Sequence, residues 1–231
     1  MDVILSGIIK AFKLIFSFDN EIYEIVFLSL YVSFVALIIA FIIGLPLGVL
    51  IGKSNRRISI FFEKIIYTLM GLPPVLCGLF VCLILMRRGP LGHLQLNYTV
   101  RAMIMAQSLL IIPIVTGIIV RAIKTNYSKI SKLAKTLGAN KFETFKLVVY
   151  ELRYQIQMAL VSGYSRGISE VGAVMIVGGN IKGKTRVMTT FISELKGMGE
   201  FEKAVAVGII LLIISFLINT LMNHFTKKDT K

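Results

Sequence analysis

Long apolar runs separated by short polar stretches dominate the pattern along this chain. A helix crossing the hydrocarbon core of a bilayer, about 30 Å thick, needs about 20 such residues. Five runs meet that need: Ile25 to Ile51, Ile58 to Met86, about Ala102 to Val120, Ile156 to Gly178, and Ala204 to His224. The first carries no charge and has Pro46 near its end. The second holds Glu63 and Lys64 near its start and Gly71-Leu72-Pro73-Pro74 in its middle. As one helix it would run about 43 Å. Pro73 and Pro74 lack an N–H and predict a break there. The third run contains Pro113, and the fourth, less apolar, contains Arg166 and Glu170. The stretch Val3 to Phe18, with Lys10 and Lys13, falls below the usual span length of about 17–25 residues. It is expected to lie on the membrane surface as an amphipathic helix, with a short sixth span as the alternative.

Composition agrees with the pattern. Of 231 residues 56% are hydrophobic and 16% charged, with a mean hydropathy of +0.81, whereas a soluble domain is about a quarter charged. Disorder, a disulfide-stapled secreted module and a collagen-like fibre are excluded. The expected fold is all-α: a polytopic membrane helical bundle of about five transmembrane helices plus the N-terminal amphipathic helix. Its expected division is an N-terminal interfacial segment (1–23), a transmembrane domain (24–226) and a cytoplasmic tail (227–231).

The net charge of +14 would suggest nucleic acid in a soluble protein. In a membrane protein, Lys and Arg mark the cytoplasmic loops. If the loop between the third and fourth runs is cytoplasmic, the segments on that side are richer in Lys and Arg and poorer in acids than those opposite. That places the N-terminus outside and the C-terminus inside, and no nucleic-acid partner is needed. Cys77 and Cys82 sit in an apolar run at a spacing that fits neither a zinc site nor a redox pair. His93 and His224 are far apart, so no metal cluster or cofactor site is expected.

The segment Arg121 to Gln155 is long for a connector and is not a random basic linker. Ile130, Leu133, Ala134 and Leu137, then Phe142, Phe145, Val148 and Val149, recur at helical spacings. Gly138-Ala139-Asn140 between them suits a turn. Two short helices are expected, apolar on one face and showing Lys132, Lys135, Lys141 and Lys146 on the other. Such a knob suits either docking into a groove of a cytoplasmic protein or lying on anionic lipid.

The residues "KLAKTLGANKFETFKLVV" resemble the EAA loop of ATP-binding-cassette (ABC) importer permeases. Ala134, Leu137, Gly138, Ala139, Phe142, Thr144, Phe145 and Val148 stand in matching places. Lys132 and Leu133 replace the motif's first Glu and Ala, and Glu151 stands near its usual Pro. The resemblance implies that this loop, about 124–153, forms coupling helices seated in a cleft of an ATPase subunit.

In the fourth run, Arg166 and Glu170 are four apart and share a helix face. Intramembrane charges are costly, face the protein interior and tend to pair. They read either as a pathway or gate element or as a structural pair, toward the cytoplasmic half of the span. Gly163, Gly167, Gly172, Gly178 and Gly179 suggest close helix packing, with a two-fold axis between copies as one reading. Lys182, Lys184 and Arg186 follow, either at an outer mouth or as ordinary solvated charges.

Ser165 to Ile192, "SRGISEVGAVMIVGGNIKGKTRVMTTFI", resembles the oxyanion branch of these permeases, which serves molybdate, sulfate and tungstate. The spelling from Ser169 to Ile181, the "GLPPVLCGL" of Gly71 to Leu79 and the "FDNEIYEIVFLSLYVS" stretch are closest to the tungstate type. The resemblance implies a type I importer permease acting as a homodimer with two cytoplasmic ATPase subunits and an extracytoplasmic oxyanion-binding protein. ATP and Mg would be used by the ATPase, since this chain has no Gly-x4-Gly-Lys-Ser/Thr loop. An intramembrane enzyme would need a nucleophile–base pair or a metal cluster, and none is visible. A secondary transporter would show inverted repeats, and none is found. A purely structural membrane subunit would leave the basic knob unexplained.

Overall fold

The computed structural model describes residues 2–16 and 19–227, with side chains described within 5–14 and 19–222. Most of the expected tail, 228–231, lies outside the described residues, as does the side chain of His224.

The described residues form helices and no strand. Helix α1 (Asp2–Phe16) has an amphipathic pattern and lies beside the last helix: a Cβ at Gly7 would touch Val205, and Lys10 reaches Glu202 at 3.7 Å. Helix α2 (Asn20–Lys53) starts where the Asp19 carboxylate accepts the N–H groups of Glu21 (2.9 Å) and Ile22 (3.4 Å), an N-cap that satisfies donors the helix itself cannot. Helices α3 (Arg56–Met70) and α4 (Pro74–Leu85) are bent by 97° at the Gly71–Pro73 break. The prolines act as expected: Pro74 is the first residue of α4, where its missing N–H is no loss. Helix α5 (Val100–Thr136) follows, then α6 (Lys141–Glu151), α7 (Arg153–Ile168), α8 (Gly172–Gly178), α9 (Met188–Gly197) and α10 (Phe201–Lys227).

Helix α5 is the centre of the bundle. Of its most apolar window 72% is buried, against 39% in α2 and 17% in α10. The side chains of α10 therefore mostly face outward, as a lipid-exposed helix requires. Helix α2 closes on α5 through Gly44, Gly48 and Gly52, one per helical turn. A Cβ at Gly48 would lie 2.7 Å from Ile119, and one at Gly52 would lie 2.6 Å from Ile123. In lipid, such close approach of backbones drives helix association that hydrophobicity cannot supply.

Among the described residues α2, α5 and α10 are each long and apolar enough to cross a membrane, and the bent α3–α4 pair is a fourth candidate, in keeping with the expected polytopic helical bundle. Two expectations are corrected. The expected fourth span is not one helix: it stops at Ile168 and restarts at Gly172. The cause is Glu170, whose carboxylate accepts the Ala173 N–H at 3.1 Å. It thereby starts a new helix instead of riding on the side of a continuing one. The first half of the basic loop is likewise not a separate short helix. It is the last part of α5, a 37-residue helix that continues through Pro113 without interruption.

Candidate functional site

Two constructions occupy opposite ends of the bundle. At one end α5 stops in a turn held by paired backbone hydrogen bonds. The Ala139 N–H donates to the Ala134 carbonyl (2.9 Å) and the Gly138 N–H to that of Lys135 (3.0 Å), the paired bonds of a Schellman motif. Gly138 has φ +74°, and a Cβ there would meet nothing within 4 Å. Glycine is required by the backbone conformation and not by space. Two residues on, Asn140 opens α6 with a capping box. Its side chain accepts the N–H groups of Phe142 and Glu143, both at 2.9 Å, and the Glu143 carboxylate accepts the Asn140 N–H at 2.7 Å. Both helix ends at the knob are thus tied off within a short stretch of chain, 137–143.

The knob's apolar residues divide. Ala134 and Val148 are buried and Phe145 is half-buried, while Leu133, Leu137 and Phe142 are 58%, 74% and 65% exposed. The expected common apolar face is therefore two faces, one holding the knob to the bundle and one displayed. On the holding side, Val148 and Leu152 share a small cleft with Val49, Ile119 and Ile123. Lys53, at the end of α2, sits over the rings of Tyr127 (4.7 Å) and Phe145 (5.8 Å). Lys124 pairs with Glu63, which also accepts the Ser59 hydroxyl at 2.6 Å. Lys132, Lys135, Lys141 and Lys146 are exposed too, and Lys146 lies 4.6 Å over the Phe142 ring of the displayed patch.

The second construction surrounds the break between α7 and α8. Arg166 donates to Glu170 Oε2 at 2.8 Å; Glu170 is 3% exposed and Arg166 32%. Side chains from other helices donate to carbonyls at the break. Gln107 of α5 donates to the Gly167 carbonyl (2.5 Å), and Thr189 of α9 to that of Glu170 (2.8 Å). Ser29 of α2 in turn accepts the Met188 N–H at 2.8 Å, at the start of α9. One carboxylate thus joins α7 to α8, and its neighbours tie the break to α2, α5 and α9. Arg166 stands near the far end of α7, about 20 Å from its start, and its neighbour Gln107 lies near the start of α5. The pair therefore lies toward the end of the bundle opposite Gly138, not toward the half that carries the knob. Gln107, Thr189 and Ser29 carry no sequence signal of their own. A polar residue in an apolar run is the only hint, and the partner of Gln107 is 60 residues away.

The glycines beside this node are used within the chain. A Cβ at Gly163 would meet Ile111 (2.8 Å), one at Gly172 would meet Val75 (2.8 Å), and one at Gly178 would meet Met103 (2.9 Å). Gly179 ends α8 at φ +70°, under the ring of Tyr98. The loop after α8 is not simply solvated: Arg186, 12% exposed, bridges Glu21 (3.3 Å) and Glu194 (2.8 Å), and Lys182 also reaches Glu21 at 2.8 Å. Glu24 and Lys184 line the adjoining cleft of about 440 Å³.

Residues 44–229 match the model of the family described as binding-protein-dependent transport system inner membrane component. The chain belongs to this family. It is 47% identical over 222 residues to the tungstate uptake system permease protein TupB of Peptoclostridium acidaminophilum, covering 96% of this chain and 97% of the relative. Identity to TupB of Campylobacter jejuni is 33%, covering 95% and 92%. Identity to the molybdenum transport permease ModB of Azotobacter vinelandii is 24%, covering 83% and 88%. The chain is thus a multi-pass inner-membrane permease component, the non-catalytic membrane subunit of an ABC transport system that also comprises an ATPase and a binding protein. Membership removes the secondary-transporter and purely structural readings.

Proposed function

We propose that this chain carries an oxyanion, tungstate in the first instance, across the inner membrane into the cytoplasm as a homodimer with two ATPase subunits. An extracytoplasmic binding protein delivers the anion. ATP and Mg act in the ATPase, whose closure pulls on the knob around Gly138. The observation that carries the mechanical part is the displayed patch of Leu133, Leu137 and Phe142, held rigidly by the capped turn of 137–143 at the end of a 37-residue central helix. A contact made there moves α5, and α5 packs against α2, α3, α4, α7 and α8. The N-terminus then lies outside and the C-terminus inside.

The choice of tungstate rests on the 47% and 33% identities to permeases of tungstate uptake systems, against 24% to the molybdenum permease. Competition uptake with tungstate, molybdate and sulfate tests it. Cells lacking the chain should lose high-affinity tungstate accumulation, with molybdate and sulfate competing poorly. Loss of molybdate or sulfate uptake instead would reassign the substrate.

A further inference from the structure

One face of α7 is only partly covered by this chain, and it is polar along its length. At about 100° per residue, Gln155, Met158, Ser162, Ser165, Arg166 and Ser169 fall within an arc of roughly 100°. Met158 and Ser169 are exposed and Ser162 and Arg166 half-buried, while at the flank Ser165 donates to Asn219 of α10 at 3.3 Å and Gln155 Oε1 is enclosed; Ala159, Gly163, Tyr164 and Gly167 on the other side pack into the core. Only Met158 on the arc is apolar. The outward surface of α10 is the opposite in character, showing Leu212, Phe216, Leu217 and Leu221. Lipid accounts for the α10 surface and not for the α7 arc, because charged and polar side chains at membrane depth face protein or water.

The charge on the arc has a definite sign. Glu170 lies beneath the surface, one oxygen held by Arg166 and the other by the Ala173 N–H. Arg166 is one-third exposed and has N–H donors beyond the one that Glu170 takes. The arc therefore shows a guanidinium with the Ser162 and Ser169 hydroxyls within about a turn of it on the same face, and hides the carboxylate that balances it. That set suits an anion rich in acceptor oxygens and offers a cation no ligand of opposite charge.

We propose that this face of α7 lines the water-filled path of the transported oxyanion, with Arg166 as the cation the anion passes. The proposal rests on the transport reading above and adds the surface on which it happens. The test uses the assembled transporter in membranes, in a background with Cys77→Ala and Cys82→Ala. Ser162→Cys and Ser169→Cys are compared with Leu212→Cys on α10, using a charged methanethiosulfonate reagent in the nucleotide-free and vanadate-trapped states. Because the thiolate is the reacting form, the two arc positions should label roughly tenfold or more faster than Leu212→Cys in at least one state. Labelling at the arc should also block uptake. Labelling as slow as at Leu212→Cys in both states would overturn the proposal. So would disulfides joining the two copies at both positions, which would make the face a protein seam. Tungstate uptake by the unlabelled variants separates the two readings. Uptake with an unreactive arc fails the path alone, whereas a reactive arc without tungstate uptake fails the substrate alone.

Discussion

Replacing Gly138 isolates the backbone contribution to the knob. The residue sits at φ +74°, and the position a Cβ would take has no atom within 4 Å, so a methyl group meets no steric obstacle. The cost of Gly138→Ala is then that of the left-handed conformation alone, about 1–2 kcal/mol. A loss of that size lowers the ratio of formed to unformed turn by roughly 5–30-fold. Asn tolerates this region better than Ala, so Gly138→Asn should lie between Gly and Ala. Gly138→Pro forces φ to about −65° and removes the N–H that bonds Lys135, a loss of about 3 kcal/mol or more by analogy with Pro in a helix interior. The assay is anion uptake per ATP hydrolysed by the reconstituted complex, alongside the amount of chain in the membrane. Coupling should fall in the order Gly, Asn, Ala, Pro while membrane insertion stays constant. Equal coupling by Gly and Ala would refute the backbone argument, as would an Asn variant no better than Ala.

Two further substitutions test the packing and the node. Gly48→Val places atoms within contact distance of Ile119 and should cost about 1–3 kcal/mol through overpacking. Gly208→Ala, where the nearest atom is Ile192 Cδ1 at 4.0 Å, should be neutral or stabilising. Thermal aggregation of the purified complex measures both, and equal midpoints would contradict the close α2–α5 approach. Glu170→Ala strips Arg166 of its partner and α8 of its cap, costing roughly 2–3 kcal/mol, below the value for a fully buried pair because Arg166 is one-third exposed. The double change Arg166→Gln with Glu170→Gln should recover much of that stability, and failure to do so would mean the charge pair is not what holds the break together.

The sequence discloses some of this architecture and conceals the rest for physical reasons. The apolar runs place α2 and α10 to within a few residues, and the turn at Gly138-Ala139-Asn140 and the break at Pro73-Pro74 are read from backbone chemistry that acts locally. Past Val120 the change to basic composition marks where α5 leaves its apolar stretch, but Lys and Arg are good helix formers and the helix continues to Thr136. Helix α9 escapes notice because it is only ten residues long and lies in what reads as a loop. The interruption at 169–171 is hidden because an Arg and a Glu four apart look like an ordinary pair on one helix. Whether the carboxylate also takes the Ala173 N–H depends on Gln107 and Thr189, brought in from distant segments. The split of the knob into a held and a displayed side is set by Val49, Ile119 and Ile123, and periodicity within the knob cannot show it.

The claim that the displayed knob is the handle for an ATPase is tested most directly at Leu137, its most exposed apolar residue. Leu137→Cys is probed with a membrane-impermeant thiol reagent in intact cells and in inverted vesicles, with and without the ATPase subunit, in the same background free of Cys77 and Cys82. The account predicts no reaction in intact cells, rapid reaction in inverted vesicles lacking the ATPase, and protection once the ATPase is restored. Reaction from outside intact cells, or reaction in vesicles that the ATPase leaves unchanged, would contradict it.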